Sequence, residues 1–103
     1  MANKVDPIIN KHNERQGYIF HCPACGHSHV FYTVRQRLNG PLWHFNGNME
    51  RPTFRPSLLV NKDLSNKSVP RCHIFVTGGR IQYLNDCTHE FAGKTIEMED
   101  CDG

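Results

Sequence analysis

Two cysteines and three histidines fall within the nine residues 21–29, and this cluster constrains the fold more than any other feature of the sequence. Cys22 and Cys25 have the spacing that lets one tight turn direct two sulfurs at a single tetrahedral ion. Pro23 stiffens such a turn, and Gly26 accepts the positive φ that often follows the second ligand. Aromatic and β-branched residues on both sides predict strands, whereas a redox pair of this spacing precedes a helix. We interpret the cluster as a metal-binding knuckle between two antiparallel strands.

The length and composition indicate one small domain with a modest core. The chain has 103 residues, of which 38% are hydrophobic, and its mean hydropathy is −0.58. A second core would leave each half too small to bury sufficient apolar surface, and even one core of this size gains from an added cross-link. We expect an N-terminal arm at residues 1–16 and a single zinc-binding β-rich domain at residues 17–103.

The number and setting of the cysteines favour metal binding over disulfides. Five cysteines are present, and residues 1–7 are polar, without the apolar run of a secretory signal. We therefore expect a cytoplasmic protein, in a compartment where clustered thiols and imidazoles usually bind metal. The sequence has no apolar stretch of the roughly eighteen residues that a membrane helix needs, so no membrane partner is expected.

A second pair of cysteines is predicted to lie on one face of a hairpin. Residues 72–76 and 80–84 have strand character and flank Gly78 and Gly79, a strong signal for a tight turn. With a two-residue turn, the alternation of side chains places Cys72 and, past the strand end, Cys87 on the same face, whereas a three-residue loop would change the pairing. One structural zinc site, closed by four thiolates, would then consist of Cys22, Cys25, Cys72 and Cys87.

The fold class predicted from the remaining pattern is mainly β, with antiparallel hairpins, a zinc-ribbon-like knuckle and little helix. Short aromatic and β-branched runs lie between clusters of Asn, Gly and Pro, as in strands that are joined by turns. Pro52 and Pro56 remove ladder donors, so residues 52–57 should be an edge or an extended loop. The polar residues 61–70 are the expected flexible loop.

A partner surface is suggested by basic and aromatic residues in the middle of the chain. The formal charge is only +2 and the pI is near 8.3, so nucleic-acid binding is weakly supported. Exposed aromatic and arginine side chains suit a protein partner better. The residues assigned to this surface are Trp43, Arg51, Phe54 and Arg55.

The assembled motifs resemble an uncharacterised family of small phage and prophage proteins. The shared pattern covers roughly residues 17–98 and consists of the knuckle with His29, the segments WHFNG and PTFRPSL, the segment CHIFV and the final DCTHEFAGKT. The resemblance implies a phage or prophage origin and a location in the host cytoplasm, and it implies no settled activity. It also singles out three of the seven histidines, which are His29, His73 and His89.

These three histidines provide an alternative to the four-thiolate site. They could replace one or two cysteines as ligands, or they could gather into a second site. Such a second site, with Asp86 orienting a histidine or acting as base, would have the ligand types of a hydrolytic zinc that holds water at an open position.

The function favoured by the sequence is that of a zinc-stabilised, protein-binding accessory or inhibitor module. The chain has no HExxH motif, no nucleophile elbow and no phosphate-binding glycine loop, so no catalytic residue is assigned. Two alternatives stay open: a small zinc-dependent hydrolase with a His-rich second site, and a nucleic-acid-binding zinc-ribbon-like module. No oligomeric state is predicted.

Overall fold

The computed structural model describes residues 3–61 and 70–101, and these residues form eight β-strands. Within them no helix is present, so none is long and apolar enough to cross a membrane. The strands are β1 (Asp6–Ile9), β2 (Arg15–Cys22), β3 (His27–Tyr32), β4 (His44–Phe45), β5 (Phe54–Val60), β6 (Cys72–Thr77), β7 (Arg80–Tyr83) and β8 (Thr95–Glu97). The predicted fold class, mainly β with little helix, is confirmed.

The strands form two antiparallel sheets. The first has the order β1-β2-β3 and the second the order β4-β5-β6-β7-β8, so all neighbours in space are also neighbours along the chain. This topology needs only local connections, which suits a short sequence of hairpins. The β2–β3 hairpin carries the cysteine knuckle at its turn, and the β6–β7 hairpin carries the downstream cysteine at the start of β6.

The β6–β7 hairpin has the register that a two-residue turn predicts. Ile74 faces Tyr83 and Val76 faces Ile81. Gly78 and Gly79 both have positive φ, at 57° and 81°, as the tightest hairpin turns require. In consequence Cys72, Ile74 and the other even residues of β6 are buried, whereas the odd residues lie on the outer face.

The two sheets share one aromatic core. Phe31 of the first sheet stacks on Phe54 of the second, with ring centroids 4.1 Å apart, and Tyr18 packs against Phe45 at 4.2 Å. Cys22 and Cys72 are fully buried at the edge of the same core. The core therefore fixes the knuckle of the first sheet against β6 of the second.

Two expectations concern the N-terminal segment, which contributes the buried Val5 to this core, and the loop before β6. Residues 1–16, expected to be an arm, contain β1, which pairs with β2 from Asp6 opposite Ile19 onward. The loop expected at residues 61–70 falls almost entirely on residues 62–69, which lie outside the described residues.

Candidate active site and metal centre

Three polar side chains on the outer face of the second sheet form a continuous hydrogen-bonded chain. Ser57 Oγ lies 2.9 Å from His73 Nε2, and His73 Nδ1 lies 3.1 and 3.2 Å from the two carboxylate oxygens of Asp86. A carboxylate accepts at Nδ1, so that nitrogen carries the proton and Nε2 is free to accept from the serine hydroxyl. The arrangement is that of a nucleophile, a base and a group that orients the base.

An irregularity in β5 presents Ser57 to the histidine. Phe54 pairs with Val76 and Leu58 with Ile74, so three residues of β5 lie opposite one residue of β6. Such bulges change the direction of side chains and occur often beside active sites. The Trp43 indole N–H donates to the Ser57 carbonyl oxygen at 3.3 Å, which ties the bulge to the segment before β4.

The backbone of His73 is held on the side away from β5. Its N–H donates to Cys87 Sγ at 3.3 Å, and its carbonyl accepts from Leu84 N–H at 2.9 Å and from the Cys87 thiol at 3.4 Å. Cys87 thus bonds both backbone groups of the histidine. Because Cys87 follows Asp86 directly, the same contacts bring the carboxylate to the imidazole.

Further contacts fix the loop that carries the carboxylate. Arg71 Nε donates to the Asp86 carbonyl at 2.8 Å, Arg71 N–H donates to Thr88 Oγ1 at 2.8 Å, and Thr88 N–H donates to the Arg71 carbonyl at 3.0 Å. The segment 86–88 is therefore joined to the residues just before and at the start of β6. The His73 and Asp86 side chains are 24% and 47% exposed, so the site is open to solvent.

A second group of polar side chains lies on the opposite face of β6. One ligand atom from each of its four residues lies within 4.8 Å of all the others, and the residues are Cys22, Cys25, His29 and Cys72. Sulfurs on a tetrahedral zinc are about 3.8 Å apart, given a zinc–sulfur distance of about 2.3 Å. These four residues lie close enough to hold a metal ion.

The electrostatics of the three thiols favour a cation between them. Hydrogen bonding from Cys25 holds the pKa of Cys22 far below its usual range. The same bond raises the pKa of Cys25 to about 12, and donation to Cys22 raises the pKa of Cys72 further. These directions are those of one thiolate that accepts hydrogen bonds from two neighbouring thiols, and repulsion between adjacent negative charges acts in the same direction on Cys25 and Cys72. A divalent cation would remove that repulsion and allow all three to ionise.

The histidine of this group has the character of a ligand. His29 is only 5% exposed, and its Nε2 has no hydrogen-bond partner within residues 3–61 and 70–101. A buried imidazole nitrogen without a partner is costly unless it binds something. Coordination of a metal ion would satisfy this nitrogen. The donor set, which consists of three thiolates and one imidazole, therefore fits a metal ion.

The Tyr83 hydroxyl contacts one sulfur of this group. Its hydroxyl lies 3.2 Å from Cys22 Sγ, and burial raises the pKa of Tyr83, so the phenol keeps its proton and donates to the sulfur. We expect Tyr83→Phe to fold and to bind metal about tenfold to a hundredfold more weakly, the usual cost of losing a partner of a metal ligand. Competition with a chromophoric chelator measures the affinity. Tyr32→Phe is the matched control, and an unchanged affinity in Tyr83→Phe would contradict this role.

Among the other sequence-predicted ligands, Cys87 and His89 lie close to Cys72, whereas His73 lies on the outer face. The structure groups His29, rather than Cys87, with the other three, and Cys87 falls into a second group with Cys72 and His89. Cys87 contacts the backbone of His73, and both ring nitrogens of His73 are occupied by Ser57 and Asp86, which leaves neither for a metal. No two of the five cysteines form a disulfide with each other.

The residues assigned to a partner surface do not form one exposed patch. Phe54 is fully buried in the core, so it cannot contribute to a surface. Trp43 is half-buried against the core and bonds Ser57. The Arg55 guanidinium bonds the Phe54 and Val76 carbonyls and the Thr77 hydroxyl, and Arg51 is exposed.

Ser57 is the candidate nucleophile that the sequence did not indicate. It occurs in the segment PTFRPSL, noted above only as part of a family pattern. No local motif marks it, because the bulge that exposes it arises from the pairing of β5 with β6. Asp86 was linked to a histidine, but within a metal site.

Comparison with known proteins identifies the family. No curated protein and no solved structure matches the chain significantly. A family model described as a bacterial ubiquitination-like system serine protease, BubE, matches residues 2–84, a segment that contains Ser57 and His73 and ends two residues before Asp86. A serine protease family does not fit an accessory or inhibitor module, so that prediction is wrong, and the zinc-dependent hydrolase is wrong in its zinc chemistry. The matched segment is most of the chain, and the protein belongs to the BubE family.

Proposed function

We propose that this protein is a serine protease with Ser57 as nucleophile, His73 as general base and Asp86 as the residue that orients the histidine. The observation that carries the proposal is the unbroken pair of contacts from Ser57 Oγ through both nitrogens of His73 to the Asp86 carboxylate. The order along the chain is Ser, His, Asp. Triads on unrelated folds have different orders, because geometry and roles define them.

The geometry supports a two-step acyl transfer. Ser57 Oγ attacks the carbonyl carbon of the substrate while its proton passes to His73 Nε2. The resulting imidazolium is stabilised by the Asp86 carboxylate at Nδ1. His73 then gives the proton to the leaving amine as the carbon–nitrogen bond breaks, and an acyl ester remains on Ser57. Water, deprotonated by His73, hydrolyses that ester and restores the serine.

Zinc is the metal we propose for the second group of side chains. Three thiolates and one imidazole are a typical set for structural zinc, and they leave no open position for a substrate or water. The ion would supply a cross-link between the β2–β3 knuckle and β6, with Cys22, Cys25, His29 and Cys72 as ligands. It would have no part in the hydrolysis.

Several sequence-based expectations stay predictions. These are the cytoplasmic location, the phage or prophage origin and the absence of a membrane partner. The protein partner expected from the sequence becomes, in this proposal, the substrate polypeptide. Its identity within a ubiquitination-like system is suggested only by the family's description.

Active-site labelling tests the proposal. Diisopropyl fluorophosphate phosphorylates an activated serine and not an ordinary one, because an adjacent base must take the proton. We expect one adduct per chain, mapped by mass spectrometry to Ser57, and no adduct in His73→Ala. Ser28→Ala, which removes an exposed serine of β3, is the matched control and should be labelled as fast as the unaltered protein. An adduct on another residue, or no adduct at all, would contradict the proposal.

Replacing Asp86 by asparagine is expected to lower kcat about a hundredfold to a thousandfold. The amide removes the negative charge that stabilises the imidazolium and favours the wrong tautomer. The loss should be smaller than the roughly 10⁴-fold known for a buried triad aspartate, because the Asp86 side chain is 47% exposed and water can replace part of its effect. Steady-state amide hydrolysis measures the effect, with Asp6→Asn on exposed β1 as control. A loss below threefold would remove Asp86 from the mechanism.

A further inference from the structure

The edge of β5 beside Ser57 lacks a strand partner within the described residues. β4 pairs only with the beginning of β5, through His44 opposite Arg55 and Phe45 opposite Phe54. The segment before β4 turns to the first sheet, where Trp43 N–H donates to the Tyr32 carbonyl. Within residues 3–61 and 70–101, no strand pairs with residues 57–60 on the side of β5 that faces away from β6.

The register with β6 determines which backbone groups face this edge. His73 lies opposite Leu59, and both backbone groups of His73 bond away from β5, to Cys87 and Leu84. Residues opposite each other in an antiparallel pair either bond each other twice or both point outward. The N–H and C=O of Leu59 therefore point to the open edge. The Ser57 carbonyl faces the same edge, where it meets the Trp43 indole.

The side chains on this part of β5 show that the open edge lies next to the proposed catalytic residues. Leu59 is 40% exposed and lies on the outer face beside His73, its cross-strand partner. A strand added to β5 would lie about 4.8 Å away. A peptide that pairs with Leu59 would therefore run along β5 toward Ser57, which lies two residues before Leu59.

We propose that the β5 edge at Leu59 binds the substrate polypeptide as an added β-strand. The occupant is an extended peptide segment next to the scissile bond, held by main-chain hydrogen bonds to the Leu59 N–H and C=O. Recognition through the main chain suits a site whose His73 and Asp86 side chains are open to solvent, since strand addition draws affinity from backbone bonds. This inference rests on the proposed function, because it assumes that Ser57 is the nucleophile.

The test compares two serine-reactive diphenyl phosphonates. One is an alanine analogue with a single residue, and the other is a tetra-alanyl peptide with the same reactive group. In both, the Ser57 oxygen bonds to phosphorus as one phenoxide leaves with the serine proton. Only the longer reagent has the backbone groups that pair with Leu59. We expect it to label the protein about tenfold faster, the effect of one or two added hydrogen bonds.

Variants at Leu59 and in the reagent isolate the backbone contribution. Leu59→Pro removes the N–H at the open edge, a position where sheets tolerate proline. We expect it to reduce the advantage of the longer reagent, measured as the ratio of the two labelling rates, to less than twofold. Leu59→Ala keeps the N–H and should keep most of the advantage. On the unaltered protein, tetra-alanyl reagents with single N-methyl groups should lose the advantage at one or two positions only.

The outcomes separate the two proposals. If the short reagent fails to label Ser57, the proposed function fails. If the short reagent labels Ser57 but the longer one has no advantage, or keeps it in Leu59→Pro and with every N-methyl group, the edge does not bind substrate. A dimer that Leu59→Pro dissociates, measured by light scattering, would assign the edge to a second copy of the chain and would also overturn the inference.

Discussion

Ser57→Ala is expected to abolish amide hydrolysis, with a loss of kcat of at least about 10⁴-fold. The hydroxyl that forms the acyl ester is gone, and His73 and Asp86 cannot replace it, since the members of a triad act as a unit. What remains is the modest acceleration that binding and polar groups give on their own. The fold should be unaffected, because Ser57 is half-buried on the outer face and contributes nothing to the aromatic core.

Hydrolysis of tetra-alanyl p-nitroanilide measures this loss, since the amide is stable in water and releases a coloured product. Ser28→Ala is the control for a serine that lies on an exposed strand position. Circular dichroism and metal content should be the same in all three proteins. A Ser57→Ala variant that kept more than a hundredth of the rate would exclude Ser57 as the nucleophile.

The architecture of the second hairpin was accessible from the sequence, whereas the active site was not. A two-residue turn at Gly78 and Gly79 implies the observed register, in which Ile74 lies opposite Tyr83. Such regular pairing fails on β5, because three residues between Phe54 and Leu58 lie opposite one residue of β6. A bulge of this kind is a product of tertiary pairing and breaks the period of two on which the sequence argument depends.

The absence of catalytic motifs was a poor guide to function. A nucleophile elbow is the turn that exposes the serine in α/β-hydrolases. In this chain, Ser57 lies on a bulged strand instead. The triad closes through contacts between the residues around Arg71 and the loop around Asp86, which are separated along the chain. The spacing of residues along the sequence does not indicate that these two segments lie close together in space. The proposed protease function depends on the family match and the geometry together.

The inclusion of His29 in the metal group was also accessible from the sequence. Side chains alternate in the knuckle hairpin just as they do in the β6–β7 hairpin. In the knuckle hairpin Phe20 pairs with His29 and Cys22 with His27, so His29 and Cys22 belong to the same buried face. That argument needs only the turn between the two cysteines. It would have brought His29 into the group that now also contains Cys25 and Cys72.

The metal group and the triad meet at two adjacent residues of β6. Cys72 points to the core with the other thiols, and His73 points to the outer face with Ser57. Any displacement of the start of β6 therefore moves the catalytic imidazole directly. Catalysis depends on holding such groups to within a fraction of an ångström of their working positions. A metal ion without a chemical role can thus still be essential for activity.

Removal of the metal is expected to unfold the protein and to abolish hydrolysis in the same step. A structural zinc contributes binding free energy of about 10 kcal/mol or more to folding, comparable with the whole stability of a small domain. Without it, the thiols of Cys22, Cys25 and Cys72 lose their common partner, and the knuckle no longer joins β6. Cys72→Ser should have the same effect, whereas Cys101→Ser, outside the group, should leave metal content and activity unchanged.

Titration with a chelator, followed in parallel by circular dichroism, bound metal and amide hydrolysis, measures the coupling. The three signals should fall together and recover together when zinc is added. Because the ion has a closed set of ligands, cadmium should restore the fold and most of the activity as well. Activity lost while the strands stay folded, or restored by zinc and not by cadmium, would place the metal in the chemistry. If the metal could be removed while the fold and the activity stayed intact, the metal would have neither a structural nor a catalytic role.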